Sequence, residues 1–205
     1  MKILFFSVRD ADGLSGQLKR LVDLGCEVFR VEGPHVIPPH DDYSLGISDR
    51  CDFLIPESFN KLTKNGIYNF HPSLLPLHPG SYSQFWSLLF GDPFGVTCHQ
   101  ITNILDRGPI FDIVPIPYSE DETFQEVYER TRTVTEGMIW RLISQHENLA
   151  ARLNPVIKHF ASNKNHTRKT SLPLFEKLPE GWRTKIWLAR ESLRGVADVN
   201  GRRVT

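Results

Sequence analysis

Short apolar runs alternate with helical patterns along the first two thirds of the chain, and this alternation limits the fold more than any other feature. The run KILFFSV at 2–8 is typical of a buried parallel strand. After it, Leu18 and Leu21 stand at helical spacing, and Gly25 marks the end of a helix. The run CEVFRV at 26–31 then predicts a second strand.

The same alternation continues to residue 146. Further strands are predicted at 51–56, 67–70, 95–101 and 109–118, and helices at 57–66, 83–91 and 122–146. Strands that alternate with helices favour an α/β fold, a doubly wound (Rossmann-like), mostly parallel sheet. Pro115 and Pro117 indicate that the strand at 109–118 lies at an edge of this sheet or at the end of its pairing.

Charge divides the chain into two parts. The whole chain is neutral, with 24 Lys and Arg against 24 Asp and Glu, but residues 152–205 hold 12 basic and 4 acidic residues. We therefore predict a main domain at 1–150 and a small basic C-terminal appendage at 151–205, with one short helix near 184–193. The appendage is either a solvated basic tail or a segment that meets an anionic ligand or forms part of a dimer.

Cysteine usage and hydropathy indicate the cellular setting. Cys26, Cys51 and Cys98 form no CxxC pair, which favours a reduced, cytoplasmic environment. Arg9 and Asp10 interrupt the N-terminal apolar run too early for a signal peptide. No apolar run has the length that a membrane span needs. We therefore expect a cytoplasmic protein without membrane or nucleic-acid partners.

The stretch YNFHPSLLPLHPG at 68–80 carries the strongest chemical signal. Asn69 and His71 are two positions apart at the end of a predicted strand, so their side chains leave the same face. Pro72 favours an extended backbone at His71. A carboxamide can stabilise an oxyanion, and an imidazole can move a proton near neutral pH. Taken alone, the two residues favour the other interpretation, a turn in which they satisfy backbone groups.

The segment GVTCHQITNILDRGPI at 95–110 adds a carboxylate. Asp106 could orient an imidazole or stabilise its cation. We interpret His99, on the preceding strand, as a hydrogen-bonded core histidine. The competing interpretation is a metal site built from His71, His78, Cys98, His99 and Asp106. These residues include no HExxH motif and no closely spaced set, so we expect no metal.

These two segments resemble the formyltransferase family that uses 10-formyltetrahydrofolate as co-substrate. Its hallmark is N-x-H-P-S-L-L-P, followed further along by a G-V-T-x-H strand and a loop that ends in D-x-G. Both parts stand here in that order, and the resemblance covers roughly residues 1–145. It implies that 1–150 is the catalytic domain. The family includes glycinamide ribonucleotide, methionyl-tRNA and nucleotide-sugar amine formyltransferases.

The resemblance also implies roles for single residues. Asn69 looks like the oxyanion-stabilising asparagine, His71 like the catalytic histidine, and Asp106 like the aspartate that orients and polarises it. The folate would lie between the segment before the motif strand and the loop before the aspartate. The implied folate-binding residues are Leu54, Ile55, Pro56, Phe59, Thr102, Asn103, Ile104 and Leu105.

The segment GSYSQFWSLLFGDPFGVT at 80–97 is similar to the sugar-amine branch and to the formylation domains of peptide synthetases. This implies a small-molecule amino sugar as acceptor, linked to a nucleotide, and a place in polysaccharide biosynthesis. Arg183 and Lys185, with other basic residues of the appendage, could meet a diphosphate. The implied substrate-binding residues are Gly80, Tyr82, Phe85, Trp86, Arg168, Lys169 and Trp182, of which Trp182 could equally serve packing.

Other functions stay open at this point. Glycinamide ribonucleotide formyltransferase agrees in size, but SVRDADGLSGQLKRL at 7–21 matches its phosphate loop poorly. Methionyl-tRNA formyltransferases carry a larger second domain, so we expect a different acceptor. A hydrolase that releases formate from the same folate and a folate-binding module without catalysis are further alternatives. Apolar residues near 109–118 or in the appendage could form a homodimer surface.

Overall fold

The computed structural model of the chain describes residues 1–8, 14–154 and 164–205. The strands in these ranges are β1 (Lys2–Phe6), β2 (Glu27–Val31), β3 (Leu45–Ser48), β4 (Ile67–His71), β5 (Gly95–Gln100) and β6 (Ile110–Pro115). The α-helices are α1 (Leu14–Asp23), α2 (Ser83–Phe90), α3 (Phe124–Ser144), α4 (Leu149–Arg152), α5 (Arg168–Phe175) and α6 (Ile186–Ser192). Short 3₁₀ helices lie at Glu57–Leu62, His146–Asn148 and Gly181–Arg183.

The strands form one six-stranded sheet in the order β2-β1-β3-β4-β5-β6. The first four strands in this order pair in parallel, whereas β5 and β6 are antiparallel to their neighbours. The predicted α/β fold with a mostly parallel sheet is therefore confirmed, and β6 lies at an edge as its prolines indicated. Strand order reverses beside β1, and ligands of such sheets bind beyond the carboxyl ends of the strands.

The predicted strand at 51–56 is wrong, because the third strand is Leu45–Ser48 and 51–56 is irregular. The true strand has only four residues, and one of them is Gly46, so its apolar signal is short. The glycine is required by close packing. A Cβ at position 46 would lie 2.6 Å from Cγ1 of Ile67 on β4.

Capping boxes define where two helices begin. Thr123 accepts from the backbone N–H of Glu126, whose carboxylate accepts from Thr123 in return, so α3 begins at Phe124. Thr167 and Thr170 form the same arrangement before α5. The sequence analysis missed α5 because Pro173 lies inside it. The short helix predicted near 184–193 is confirmed as α6.

The strands bury apolar side chains on both faces of the sheet. Along β1, Ile3 and Phe5 join the larger core, and Leu4 and Phe6 join a smaller one on the opposite face. The larger core also includes residues from the C-terminal segment: Leu178, Ile186, Ala189, Leu193 and Val204. Residues 164–205 thus pack against the same core as the sheet. None of the helices in the described ranges has the length and apolar character that crossing a membrane requires.

Candidate active site

Strand β4 brings Asn69 and His71 to the carboxyl end of the sheet, where both side chains line one cleft. The Oδ1 atom of Asn69 accepts a hydrogen bond from Oγ of Ser48 on β3, at 2.9 Å. Its Nδ2 atom lies 3.3 Å from Nε2 of His99. Because the amide oxygen is held by β3, the amide NH₂ is fixed on the opposite side, with one hydrogen left over after the bond to His99.

His99 stands directly opposite Asn69 in the antiparallel pairing of β4 and β5. Its Nδ1 atom is 3.1 Å from the backbone oxygen of Gln100, and a carbonyl oxygen can only accept. Nδ1 therefore carries the hydrogen, and Nε2 accepts from the Asn69 amide. His99 is buried and hydrogen-bonded, as predicted. It also lines the cleft and orients Asn69, which the sequence analysis did not foresee.

His71 is buried between two acceptors. Its Nε2 atom donates to the backbone oxygen of His78 at 3.0 Å, and its Nδ1 atom lies 3.6 Å from Oδ2 of Asp106. Burial lowers the pKa of His71 below its ordinary value, although Asp106 acts in the opposite direction. The ring is therefore neutral at pH 7 and can accept a proton at Nδ1. Once protonated, its Nδ1–H would face the negative charge of Asp106, while Nε2–H stays bonded to the His78 oxygen.

Asp106 supplies a buried negative charge. Its Oδ2 atom accepts from the backbone N–H of Gly80 at 2.7 Å, and Oδ1 lies 3.6 Å from Nε2 of His99. Burial alone would raise the pKa of Asp106, but His71, His99 and the Gly80 amide outweigh it and lower this pKa to about 2. The carboxyl group is therefore ionised throughout the neutral range.

The backbone geometry of the loop explains the sequence D-x-G at residues 106–108. Asp106 adopts the left-handed conformation, with φ of 54°, in the loop between β5 and β6. Two residues later, a Cβ on Gly108 would lie 1.6 Å from the backbone oxygen of Gln100. Only glycine allows the loop to pass this close to β5. That approach sets the position from which Asp106 reaches His71.

The motif loop after His71 is held by side-chain hydrogen bonds as well as by its prolines. Thr97 on β5 donates through Oγ1 to the backbone oxygen of Ser73 at 2.7 Å and accepts from the N–H of Leu75 at 3.0 Å. Oγ of Ser73 in turn donates to the backbone oxygen of Leu77 at 2.6 Å. Thr97 and Ser73 are fully buried, so these bonds fix the loop against the sheet.

The cleft has a volume of about 1300 Å³, and its lining residues fall into chemically distinct groups. The polar group consists of Asn69, His71, His99 and Asp106. An apolar group consists of Phe53, Leu54, Ile55, Ile101, Ile104 and Leu105. A group of cationic and aromatic residues consists of Arg50, Tyr128, Arg132, Arg168 and Trp182. This is the composition of a site for a large, partly apolar and partly anionic ligand.

The structure brings most of the predicted ligand-binding residues to the cleft. From the folate set these are Leu54, Ile55, Thr102, Asn103, Ile104 and Leu105. From the acceptor set they are Gly80, Tyr82, Phe85, Arg168 and Trp182. Six residues do not line it: Pro56, Phe59, Trp86, Lys169, Arg183 and Lys185.

Packing explains why two of these residues, Phe59 and Trp86, do not line the cleft. Phe59 stacks on Phe6 of β1, with 6.1 Å between ring centroids, and packs, partly buried, against the smaller core. Trp86 is buried, donates its indole N–H to Oγ of Ser171 at 2.9 Å, and stacks on His166. A large aromatic side chain with its polar atom satisfied in the interior is a core residue.

The sequence analysis missed several cleft residues. Asp49 and Arg50 follow β3, where Arg50 bonds the buried Asp49 carboxylate through Nε and a terminal nitrogen, at 3.1 and 2.8 Å. Misplacing that strand hid them. Tyr128 and Arg132 are one helical turn apart on α3, and only the packing of this helix shows which of its faces meets the cleft. In the described ranges, no three His, Cys, Asp or Glu residues come together as metal ligands would.

Known formyltransferases are similar to this chain in sequence. Residues 47–143 match the family model described as Formyl transferase. The methionyl-tRNA formyltransferase of Thermotoga neapolitana is 31% identical over 135 residues, which are 62% of this chain and 41% of that protein. The GDP-perosamine N-formyltransferase of Brucella melitensis is 36% identical over 90 residues, which are 43% of this chain and 35% of that protein. The chain thus spans less than half the length of these curated relatives.

A solved structure is similar over almost the whole chain. It is the formyltransferase PseJ from Anoxybacillus kamchatkensis, in complex with UDP-4,6-dideoxy-4-formamido-L-AltNAc and tetrahydrofolate. The TM-score is 0.74 at 23% identity, over 92% of this chain and 97% of that chain. At this identity the likeness establishes a shared fold.

Proposed function

We propose that the chain transfers a formyl group from 10-formyltetrahydrofolate to an amine of a nucleotide-linked amino sugar. The premise is the match of residues 47–143 to the formyl transferase family. The products are an N-formyl sugar and tetrahydrofolate. The observation that carries the proposal is the convergence of the Asn69 amide, the neutral His71 ring and the Asp106 charge in one cleft.

Asn69 stabilises the charge that develops on the formyl oxygen. When the acceptor amine attacks the formyl carbon, the carbonyl oxygen becomes an oxyanion. The remaining hydrogen of the Asn69 NH₂ group is available to donate to it, because Ser48 and His99 hold the amide in that orientation. A donor oriented in advance does not need to reorganise during the reaction.

His71 moves the proton. Its Nδ1 atom takes the proton that the amine loses as the new C–N bond forms. The resulting cation is stabilised by Asp106 and by the backbone oxygen of His78. The same proton then passes to N10 of the folate as the bond between N10 and the formyl carbon breaks. Binding both substrates in one cleft supplies a further part of the rate.

The two remaining groups of cleft residues fit the two substrates. Leu54, Ile104 and Leu105 expose apolar surface suited to the folate ring system. Arg132 and Arg168 are candidates for a diphosphate. The Anoxybacillus kamchatkensis neighbour, crystallised with a UDP-sugar product and tetrahydrofolate, supports this assignment of a donor and an acceptor.

An aromatic pair suits a nucleotide base or a sugar ring. Trp182 lies 5.4 Å from Tyr128 and 4.9 Å from Phe175 between ring centroids, and it is 43% exposed. One part of the indole is thus packed while another stays open to the cleft, as a stacking surface requires. The Brucella melitensis relative, a GDP-perosamine N-formyltransferase, supports an amino-sugar acceptor.

Methionyl-tRNA is the second candidate acceptor. The Thermotoga neapolitana relative is a methionyl-tRNA formyltransferase, and it matches a longer part of this chain than the Brucella melitensis relative does. The basic residues between 152 and 205 would also suit a polyanion. The arginine and aromatic groups of the cleft favour the smaller acceptor, because they provide a phosphate site and a stacking site in the cleft that His71 lines.

The same proposal sets the reaction in the cytoplasm, as a step of polysaccharide biosynthesis. Cys26, Cys51 and Cys98 are free thiols, which suits a reducing compartment. We also propose that the chain forms a homodimer through the edge strand β6, on which Ile113 is exposed. The measured mass in solution tests this part separately.

The test follows tetrahydrofolate release by absorbance, with purified protein, 10-formyltetrahydrofolate and a panel of amines. The panel holds nucleotide-linked 3-amino and 4-amino deoxysugars, methionyl-tRNA and glycinamide ribonucleotide. We expect release that depends on one amino sugar and is lost in His71→Ala. Release with methionyl-tRNA alone would establish the second candidate. Release with glycinamide ribonucleotide alone, or without any amine, would replace the proposal by a purine-synthesis enzyme or a hydrolase. No release with any amine would refute it.

A further inference from the structure

Two contacts that hold His71 and Asp106 come from one short loop, residues 78–81. The backbone oxygen of His78 accepts from Nε2 of His71 at 3.0 Å, and the backbone N–H of Gly80 donates to Oδ2 of Asp106 at 2.7 Å. Both contacts use backbone atoms, so a shift of this loop would move the ring and the carboxylate together.

The side chain of His78 points away from the cleft into a second polar cluster. Its Nε2 atom donates to Oδ2 of Asp92 at 2.7 Å. Arg202 holds the same carboxylate with two bonds, at 2.7 and 3.0 Å. The His78 ring is 4% exposed and stacks on Phe90, with 5.9 Å between ring centroids. None of these side chains lines the cleft.

His166 closes the cluster from the C-terminal segment. Its Nε2 atom lies 3.2 Å from Nδ1 of His78, and its own Nδ1 is buried with no hydrogen-bond partner among the described residues. A buried N–H without an acceptor is costly, so the hydrogen of His166 belongs on Nε2, where it donates to His78. Burial, followed by the nearby His78, lowers the pKa of His166 to about 4, which keeps this ring neutral.

The backbone of His166 also clamps the loop. Its N–H donates to the oxygen of Pro79, and its oxygen accepts from the N–H of Ser81, each at 2.8 Å. Between these two bonds, Gly80 leaves no room for a side chain, since a Cβ there would lie 2.1 Å from the oxygen of His166. His78 itself holds φ of 49°, a conformation that a non-glycine residue keeps only when its surroundings fix it.

We propose that His78, Asp92, Arg202 and His166 are positioning residues for formyl transfer, through which the C-terminal segment sets the placement of His71 and Asp106. The inference rests on the proposed function, because it assigns His71 and Asp106 to the reaction. It gives residues 164–205 a role in the geometry of the reacting groups, apart from any contact that Arg168 or Trp182 makes with a ligand.

The chain offers a matched pair of variants for the test. Arg202→Gln breaks the ion pair with Asp92, in which the side chains are 44% and 18% exposed. Arg141→Gln breaks the ion pair between Arg141 and Asp112, in which they are 48% and 21% exposed. Both are arginine–aspartate pairs of similar exposure, although Arg202 makes two bonds and Arg141 makes one, and only the first pair connects to loop 78–81. Any general effect of removing such a pair appears in both variants.

We expect Arg202→Gln to lower kcat about tenfold with each KM within about twofold, since a small displacement of reacting groups affects turnover more than binding. Arg141→Gln should match the wild type. Arg202→Lys, which restores a cation without the two-bond geometry, should recover part of the rate. His78→Phe, which keeps the ring and loses both nitrogen contacts, should lower kcat further, by about a hundredfold.

A spectroscopic measurement separates this inference from the proposed function. The NMR signal of the His71 ring, assigned by its absence in His71→Ala, reports the surroundings of the ring in free protein. The titratable side chains that face the His71 ring are those of Asp106 and His99, whereas His78 contacts it through its backbone oxygen. We expect the signal to move in Arg202→Gln and to stay in place in Arg141→Gln. Equal spectra would overturn the inference, as would equal kcat values in an active protein. If no amine releases tetrahydrofolate, the proposed function fails while the spectra still test the positioning.

Discussion

Two histidine–aspartate clusters lie on opposite sides of loop 78–81, and they differ in how closely their partners approach. In the cleft, Asp106 is 3.6 Å from the nearest nitrogen of His71 and 3.6 Å from that of His99. Behind the loop, Asp92 is 2.7 Å from His78 and 2.7 Å from Arg202. A loose cluster of Asp106, His71 and His99 thus lines the cleft, whereas a tight cluster of Asp92, His78 and Arg202 lies behind the loop, with the Arg202 side chain 44% exposed.

The two carboxylates differ in which groups balance their charge. The pKa of Asp106 and that of Asp92 both lie at about 2, although burial alone would raise them. For Asp92, His78 and the permanently charged Arg202 bring it down, so its charge is already balanced. For Asp106 the opposing groups are two histidines and a backbone N–H. Its charge therefore remains available to stabilise a proton that arrives on His71.

The largest effect should come from removing the negative charge of Asp106 in the loose cluster. Asp106→Asn keeps an acceptor for the N–H of Gly80 and so preserves the loop, but it cannot stabilise the His71 cation. We expect kcat to fall about a thousandfold, or ~4 kcal/mol in the barrier. The measurement is steady-state turnover with the acceptor that the amine panel identifies. Asp112→Asn, which changes a carboxylate outside the cleft, is the control and should keep wild-type kcat.

The pH profile of this variant has a definite direction. His71 must be neutral to accept a proton, so kcat falls as the pH drops through the pKa of His71. Burial already lowers this pKa, and Asp106 partly restores it. Removing the carboxylate lowers it further, so the acidic limb of the residual activity should move to lower pH than in the wild type. A limb that moves upward would show that the two groups are not coupled in this way.

Replacement of Gly80, in the loop between the two clusters, should give the next largest effect. Gly80→Ala adds a Cβ that would lie 2.1 Å from the oxygen of His166, at φ of 94°. Gly195 has a similar φ of 81°, with no atom within 4 Å of an added Cβ. We expect Gly80→Ala to lower the free energy of unfolding by about 3 kcal/mol and Gly195→Ala by about 1 kcal/mol. Chemical denaturation measures both. Equal losses would mean that strain in φ, and not the approach of His166, is what matters.

The sequence predicts one of the two clusters and not the other, and the reason is physical. Asn69 and His71 stand at a strand end with alternate spacing, so one motif places both side chains on one face. Asp106 stands in a loop after the neighbouring strand. Together with the helical and strand periodicities, this spacing is a local signal, and it suffices for the fold class and for placing Asn69 and His71 together. The roles of Asn69, His71 and Asp106 came from the resemblance to the formyltransferase family.

The second cluster joins positions that no local pattern connects. His78 and His166 are 88 positions apart, and Asp92 and Arg202 are 110 apart. They meet because α5 and α6 pack beside α2, and α5 gave no signal because of Pro173. The orientation of Asn69 by His99 depended on the register of β4 against β5, which strand periodicity does not specify.

The smallest effect should come from weakening the orientation of the Asn69 amide without changing any charge in the cleft. Ser48→Ala removes the hydrogen bond to Oδ1 of Asn69 and leaves the cleft otherwise intact. Because the amide then loses one of its two anchors, its NH₂ group faces the formyl oxygen for less of the time. We expect kcat to fall about fivefold, near 1 kcal/mol in the barrier. Ser7→Ala is the control, since Ser7 is a buried serine that does not line the cleft and whose hydroxyl accepts a bond from Arg30. A fivefold loss in both variants would assign the effect to general loosening of the sheet, whereas a loss in Ser48→Ala alone shows that holding the amide carbonyl contributes to the rate.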